Sequence, residues 1–251
     1  MALKQEGACN GPDKSTYRDP VGRCSVARNG TFDRLRSALH CAAMILYVDS
    51  QFASPYAMSA FMALRIKQQA FSLRTLKLNE GEQSTSDYSA RSLTSRVPTI
   101  VEGDFSLSES SAIAEYLDET FDGPRLYPED RRDRARARQL QAWLRSDLAA
   151  LKQERSTEVI FYRPADAPLS ASALSAATKL LRVAASLIDD GRKNLFRDWC
   201  IADTDLALML CRLVLNGDRV PTRLETYARE QLKHPAAKEW LAMPRPPLDD
   251  A

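Results

Sequence analysis

The pattern of the apolar residues in this 251-residue chain changes near residue 125, from a mixture of strand and helix signals to helix signals alone. Between residues 44 and 123, short apolar strands alternate with helical patterns. From about residue 128 onward, every apolar pattern has the helical period of about 3.6 residues. This division predicts an N-terminal extension over 1–43, an α/β domain over 44–123 and an all-α helical bundle over 128–243.

Residues 1–43 show neither helical nor strand periodicity and contain four of the nine glycines. This composition favours a disordered extension. A targeting peptide is the alternative interpretation, but the apolar stretch Leu39–Val48 is short, lies far from the N-terminus and follows acidic residues. We therefore predict a disordered tail.

The pattern over residues 44–123 predicts a small sheet with the element order βαβαββα. A polar loop and Pro55 mark the first helix start, because proline suits the first helical position. The predicted elements are the strand Ile45–Val48, a helix from Pro55 to about Lys67, the strand Phe71–Leu78 and a hairpin of strands 97–101 and 105–107. Ser108 is the expected N-cap of the helix that follows.

The helical part is marked by long apolar stripes. One long helix is predicted from Arg131, with its apolar face formed by Ala137, Leu140, Leu144, Leu148 and Leu151. A second helix is expected over Ser170–Ile188. The segment Leu206–Leu215 is apolar on nearly every face, which is typical of a helix at the centre of a bundle.

The composition excludes several classes of function. The formal net charge of +2 does not favour a nucleic-acid-binding or membrane-surface protein. The glycines form neither GxGxxG nor GxxxxGK[ST], and two histidines offer little for a metal site. Five cysteines without a CxxC pair indicate reduced thiols in a cytoplasmic protein. We expect no metal and no membrane-spanning segment.

Ser54 is the first candidate for chemistry, because it lies just before Pro55 at the predicted helix start. A hydroxyl at this place faces the positive end of the helix dipole and several unpaired N–H groups. The structural alternative is a simple N-cap serine, which is the commoner role when the residue is considered alone.

Two further candidates follow in the chain. A cis bond between Val97 and Pro98 would turn the chain and leave the Val97 backbone free to bind an extended peptide, although X-Pro bonds are usually trans. Glu109 and Ser110 lie at the next helix start, where the hydroxyl suits a carboxylate and the acid suits an ammonium group. A capped helix with an acidic first turn is the structural alternative.

Taken in this order, the three features closely resemble the cytosolic glutathione S-transferase family. The resemblance covers about residues 44–242, and the chain looks most like the bacterial YfcF-type subgroup. It implies a thioredoxin-like domain followed by a helical domain. The strongest stretches are RVPTIVEGDFSLSESSAIAEYLDE (Arg96–Glu119), RARARQLQAWLRSDL (Arg134–Leu148) and NLFRDWCIADTDLALML (Asn194–Leu210).

The resemblance implies that Ser54 activates the glutathione thiol as a hydrogen-bond donor, and that Pro98 is the structural cis-proline. Thiol-transferase relatives have Cys-Pro-Tyr where this chain has Ser54-Pro55-Tyr56, and the Ser-Ser-Cys signature of isomerase relatives is absent. A mixed disulfide with the protein is therefore not expected. Conjugation or glutathione-dependent peroxide reduction is favoured.

The resemblance also implies how glutathione binds. The Val97 backbone would pair with the cysteinyl part, and Glu109 and Ser110 would hold the γ-glutamyl end. Arg91 or Arg96 would meet the glycyl carboxylate; the sequence leaves both open. The implied enzyme needs no cofactor beyond glutathione as co-substrate, and it acts on a small apolar electrophile or organic peroxide.

The family further implies a homodimer with a role in detoxification or oxidative stress. The rival hypothesis is a protein of the same fold without catalysis, such as a regulatory or scaffold protein. In the helical domain, Cys200 occupies a cap position that usually holds Ser or Thr. We expect the Asp203 carboxylate to accept the backbone N–H of Cys200, as a folding feature.

Overall fold

A computed structural model of the chain describes residues 44–189 and 191–248. The extension predicted over residues 1–43 lies outside these ranges. Within them, no helix has both the length and the hydrophobicity that crossing a membrane requires.

The first part of the described chain contains a four-stranded sheet in the order β2-β1-β3-β4. The strands are β1 (Met44–Asp49), β2 (Phe71–Leu76), β3 (Thr99–Glu102) and β4 (Phe105–Ser108). β1 pairs with β2 in parallel and with β3 in antiparallel orientation, so it lies at the centre of the sheet. β3 and β4 form the predicted hairpin, in which Gly103 has φ 62°, a conformation that glycine adopts without strain.

Three α-helices accompany the sheet in the described chain: α1 (Pro55–Ile66), α2 (Ser86–Ser89) and α3 (Ser110–Thr120). α1 connects the parallel strands and packs against α3. The buried Lys67 at the end of α1 pairs with Asp118 of α3, with 2.9 Å between Nζ and Oδ1. The observed order confirms the predicted thioredoxin-like βαβαββα arrangement.

The second part is helical throughout its regular structure, as predicted. Its helices are α4 (Arg131–Ser146), α5 (Ala149–Glu154), α6 (Glu158–Phe161), α7 (Ala171–Leu187), α8 (Ile201–Val214), α9 (Thr222–Gln231) and α10 (Pro235–Leu241). α8 packs against α4, α9 and α1, and nearly all of its residues are buried. The uniform apolar pattern over residues 206–215 therefore correctly predicted a central helix.

Two local predictions were wrong. Ser108 does not cap a helix, because it pairs with Thr99 in the hairpin and α3 begins at Ser110 after Glu109. The long helix from Arg131 is interrupted, because Leu148 has φ 64° and the Asp147 carboxylate accepts its N–H at 2.7 Å. The predicted apolar face nevertheless continues beyond the interruption, since Leu148 and Leu151 are both buried.

Candidate active site

The loop between β1 and α1 is built around the buried carboxylate of Asp49. Its two oxygens accept the N–H groups of Ala53 at 2.6 Å and Ser54 at 3.2 Å. Burial raises the pKa of Asp49, and the two backbone N–H donors act in the opposite direction. These bonds fix the path of the chain just before α1, including Phe52 at φ 47°. Ser54 is thereby held at the helix start.

Ser54 is the N-cap of α1, as its structural interpretation requires. Its Oγ accepts the N–H of Ala57 at 3.2 Å, and its side chain is only partly buried. A hydroxyl that accepts one hydrogen bond can still donate its own hydrogen. The cap and a catalytic role are therefore compatible in one residue.

The chain before β3 is held by a cluster of buried hydroxyl groups. The carbonyl oxygen of Arg96 accepts from Tyr88 Oη at 2.7 Å, Ser92 Oγ at 3.1 Å and Thr99 Oγ1 at 3.1 Å. The next peptide bond, Val97–Pro98, is cis. Neither the N–H nor the carbonyl of Val97 has a hydrogen-bond partner within residues 44–189 and 191–248. A polar backbone segment is thus presented on a rigid support.

One cavity of about 100 Å³ collects most of the predicted binding residues, and we call it the first cavity. Its lining residues are Tyr56, Arg96, Val97, Pro98, Glu109, Ser110 and Arg145. Ser54 itself is not among them, but Tyr56 follows it by two residues on α1. The structure therefore brings together one backbone segment, one helix start and two guanidinium groups around a space that suits a small zwitterion.

Arg91 lies outside this cavity. Its guanidinium pairs with Asp87 on the surface, with 3.0 Å between Nη2 and Oδ1, and this partner raises the pKa of Arg91. Of the two arginines that the sequence left open, Arg96 is the one that lines the cavity.

Glu109 and Ser110 differ in their environments. Glu109 is exposed and has φ 74°, an unusual backbone conformation for a residue other than glycine. Ser110 is buried, and its Oγ accepts from Arg145 Nη2 at 2.9 Å. Strained backbone of this kind clusters at active sites and ligand sites.

Arg145, in the last turn of α4, is a site residue that the sequence did not reveal. Its Nη2 also lies 3.3 Å from Asp205 Oδ2, which accepts from Gln141 Nε2 at 2.7 Å. The guanidinium lies 5.5 Å from the centre of the Tyr56 ring. These contacts join residues far apart in the chain, so no local pattern could have signalled them.

A second, smaller cavity of about 20 Å³ adjoins the first, since Tyr56 and Arg145 line both. The remaining residues of this second cavity are Pro55, Leu144, Asp205, Leu208, Met209 and Arg212. Most of these residues belong to α4 and α8 of the helical part.

The chemistry available at the site is that of hydroxyl groups, charges and backbone amides. Among residues 44–189 and 191–248, no cluster of three or more His, Cys, Asp or Glu side chains could hold a metal ion. The cysteines Cys200 and Cys211 are buried within α8 or at its start, and burial raises the pKa of Cys211 to about 12. Such thiols are poor nucleophiles at neutral pH.

Comparison with known families accounts for both parts of the chain. A family model described as the N-terminal domain of glutathione S-transferase matches residues 50–125. The model for the C-terminal domain of glutathione S-transferase matches residues 130–245.

A solved structure agrees with the two family models. The structure of a glutathione transferase homologue from Burkholderia strain BGR1, with bound glutathione, is 45% identical in sequence, covers 79% of this chain and 96% of that chain, and has a TM-score of 0.66. Two curated proteins match shorter segments. A probable maleylacetoacetate isomerase from Vibrio cholerae is 32% identical over 114 residues, which are 45% of this chain and 52% of that protein. Mouse glutathione S-transferase theta-3 is 33% identical over 119 residues, which are 45% of this chain and 49% of that protein. The chain thus spans about half the length of these two curated relatives.

Proposed function

This chain belongs to the glutathione S-transferase family, and from that premise we propose that it is an enzyme that binds glutathione and transfers its thiolate to a small electrophile. The observation that carries the proposal is the first cavity, where Val97, Glu109, Ser110 and Arg96 come together around one space. The Burkholderia relative with bound glutathione supports the same ligand. Assignment to the YfcF-type subgroup stays a prediction.

Each group of the tripeptide has a counterpart in the first cavity. The γ-glutamyl carboxylate binds the hydroxyl of Ser110 and the N-terminus of α3. The ammonium group next to it binds the exposed carboxylate of Glu109. The unpaired backbone of Val97 pairs with the cysteinyl residue, and Arg96 meets the glycyl carboxylate. Arg145 is a positioning residue, because its bond to Ser110 orients that hydroxyl.

Catalysis in this proposal is thiolate stabilisation. A free thiol with a pKa near 8.5 is only a few per cent ionised at neutral pH. The Ser54 hydroxyl donates a hydrogen bond to the sulfur, which favours the charged form and lowers the thiol pKa. The thiol proton leaves to solvent. The sulfur then attacks the electrophilic carbon, forms a C–S bond and displaces a leaving group such as chloride.

Peroxide reduction is the second reaction we propose for the same thiolate. The sulfur attacks one oxygen of the hydroperoxide, the O–O bond breaks, and an alcohol and glutathione sulfenic acid result. A second glutathione then condenses with the sulfenic acid to give glutathione disulfide and water. Neither step needs a protein thiol or a cofactor.

We also propose a homodimer that acts in the cytoplasm, in detoxification or the response to oxidative stress. Light scattering of the purified protein tests the dimer: a molar mass near twice 28.1 kDa supports it, and a mass near 28.1 kDa contradicts it. Fractionation of cells that express the full chain tests the location.

Glutathione binding separates the enzyme from the rival, a scaffold of the same fold. A ligand that binds only the folded state raises the melting temperature with increasing concentration. We expect stabilisation by glutathione and by S-methylglutathione, which keeps the tripeptide but has no free thiol. Only glutathione should support turnover in a panel of aryl halides, organic hydroperoxides and small disulfides. The absence of both stabilisation and turnover would favour the scaffold.

A further inference from the structure

Arg212 of α8 is a buried guanidinium group that has no carboxylate partner among the residues that the structure describes. The residue is 5% exposed, and its Nη1 donates to the carbonyl oxygens of Arg155 at 2.6 Å and Lys152 at 3.5 Å. No ion pair formed within residues 44–189 and 191–248 includes it, whereas Arg155 nearby pairs with Asp218 at 2.7 Å. Burial lowers the pKa of Arg212. A buried cation without a counter-ion is costly unless an anion binds there.

Tyr56 supplies a second donor next to Arg212. Burial raises the pKa of Tyr56, so its hydroxyl keeps its proton at neutral pH and can donate it. No hydrogen bond within the described parts of the chain engages this hydroxyl. Both residues line the second cavity.

The second cavity carries a net positive charge. Its one acidic residue, Asp205, is 3.3 Å from Arg145 Nη2, so these two charges balance each other. Arg212 remains uncompensated among the lining residues. A positive site that offers the Tyr56 hydroxyl and the Arg212 N–H groups other than those of Nη1, within apolar walls, fits an anion better than a neutral apolar group.

The size of the second cavity restricts what it can hold. Its volume of about 20 Å³ suits one or two water-sized groups, such as the oxygens of a carboxylate, and excludes an aromatic ring. Because Tyr56 and Arg145 line both cavities, the rest of such a molecule extends toward the first cavity. There it would meet the sulfur of glutathione beside Ser54.

We propose that the second substrate is an electrophile that carries a carboxylate, and that this carboxylate binds Arg212 and Tyr56 in the second cavity. The inference rests on the proposed transferase function and specifies its substrate class. The body of the electrophile extends from the second cavity past Tyr56 toward the glutathione sulfur, and the anchored carboxylate sets which carbon faces the sulfur.

A matched pair of substrates tests the proposal: 4-chloro-3,5-dinitrobenzoate and its methyl ester. After division by the uncatalysed rates, we expect the wild-type kcat/KM to favour the acid by at least about 10-fold. Arg212→Gln should lower kcat/KM for the acid by about 10- to 100-fold and for the ester by less than about 3-fold. The control Arg182→Gln, which removes an exposed charge from α7, should change neither value.

Equal losses on the acid and the ester in Arg212→Gln would mean a structural role and would overturn the proposal. No preference for the acid in the wild type would do the same. If Arg212→Gln fails to fold, Arg212→Lys and Tyr56→Phe replace it. The lysine variant should retain most of the preference for the acid, and the phenylalanine variant should reduce it by several-fold.

A binding measurement separates this inference from the transferase proposal. We expect 4-nitrobenzoate to raise the melting temperature of the wild type and of Arg182→Gln, but not of Arg212→Gln. Stabilisation by glutathione without stabilisation by 4-nitrobenzoate contradicts only the carboxylate site. Stabilisation by 4-nitrobenzoate that persists in Arg212→Gln also contradicts it. Stabilisation by 4-nitrobenzoate alone, lost in Arg212→Gln, supports the anion site and contradicts the transferase proposal.

Discussion

The starts of α1 and α8 use the same local device for different purposes. At each, a buried aspartate carboxylate accepts backbone N–H groups beside the N-cap residue. Asp49 accepts from Ala53 and Ser54 at the start of α1. At the start of α8, Asp203 is fully buried and accepts from Cys200 N at 2.9 Å, Leu195 N at 2.7 Å and Tyr227 Oη at 2.8 Å.

The two starts differ in what remains available for binding. The Cys200 side chain is buried, and burial raises the pKa of its thiol well above the ordinary value. Ser54 is partly exposed and keeps a hydroxyl hydrogen to donate. A fully satisfied, buried helix start therefore stabilises the fold, whereas a start with solvent access and an unused donor can act on a ligand.

The largest expected effect is the loss of stability caused by a substitution at the buried start of α8. Asp203→Ala leaves two buried backbone N–H groups without an acceptor and leaves the Tyr227 hydroxyl only the backbone carbonyl of residue 203 at 3.4 Å, so the free energy of unfolding should fall by about 3 kcal/mol. The melting temperature should fall by about 6–12 °C. Urea denaturation measures the loss, and the exposed Asp198→Ala is the control. A loss below about 1 kcal/mol would remove the distinction between the two starts.

Ser54→Ala, at the start of α1, should lower activity much more than stability. It should lower kcat by about 100-fold, because one donor to the sulfur is lost. Stability should fall by only about 1 kcal/mol, the usual cost of an N-cap. The rising limb of the pH–rate profile should move to higher pH, since the bound thiol regains a pKa nearer to 8.5. Ser54→Thr, which keeps a hydroxyl, is the control, and a pH–rate profile identical to the wild type excludes Ser54 from the mechanism.

Substitutions at a third helix start, that of α3, should weaken glutathione binding more than they lower turnover. Glu109→Gln and Ser110→Ala should each raise the Kd for glutathione by about 10-fold, because each removes one charge-assisted contact. Calorimetric titration measures the Kd. Glu119→Gln, an exposed acid near the other end of α3, serves as the control. If both variants bind glutathione as the wild type does, the γ-glutamyl end lies elsewhere.

The smallest expected effect is a change in the Kd for glutathione that distinguishes Arg96 from Arg91. Arg96→Gln should raise the Kd for glutathione by about 3-fold, because an exposed ion pair is screened by solvent. Arg91→Gln should leave the Kd unchanged, since its partner is Asp87. The reverse order in the same titration would assign the glycyl carboxylate to Arg91.

Much of the fold was predictable because its signals are local. Strand alternation, helical period and proline at a helix start each depend on a few neighbouring residues. The bond between Asp203 and the N–H of Cys200 was predicted for the same reason and is confirmed. The two wrong predictions also have local causes. Ser108 pairs with Thr99 in the hairpin instead of capping a helix. The Asp147 carboxylate accepts the N–H of Leu148 and ends the helix that the apolar pattern had predicted to continue.

The sequence alone determined the order of strands and helices over residues 44–123 and the starts of α1, α4 and α8, since these follow from short-range geometry. Only the tertiary structure decided that Arg96, and not Arg91, lines the cavity. It also placed Arg145 against Ser110 and buried Arg212 without a counter-ion in the described part of the chain. Those contacts join residues dozens of positions apart, and the electrostatic cost of a buried charge depends on packing that no local pattern encodes.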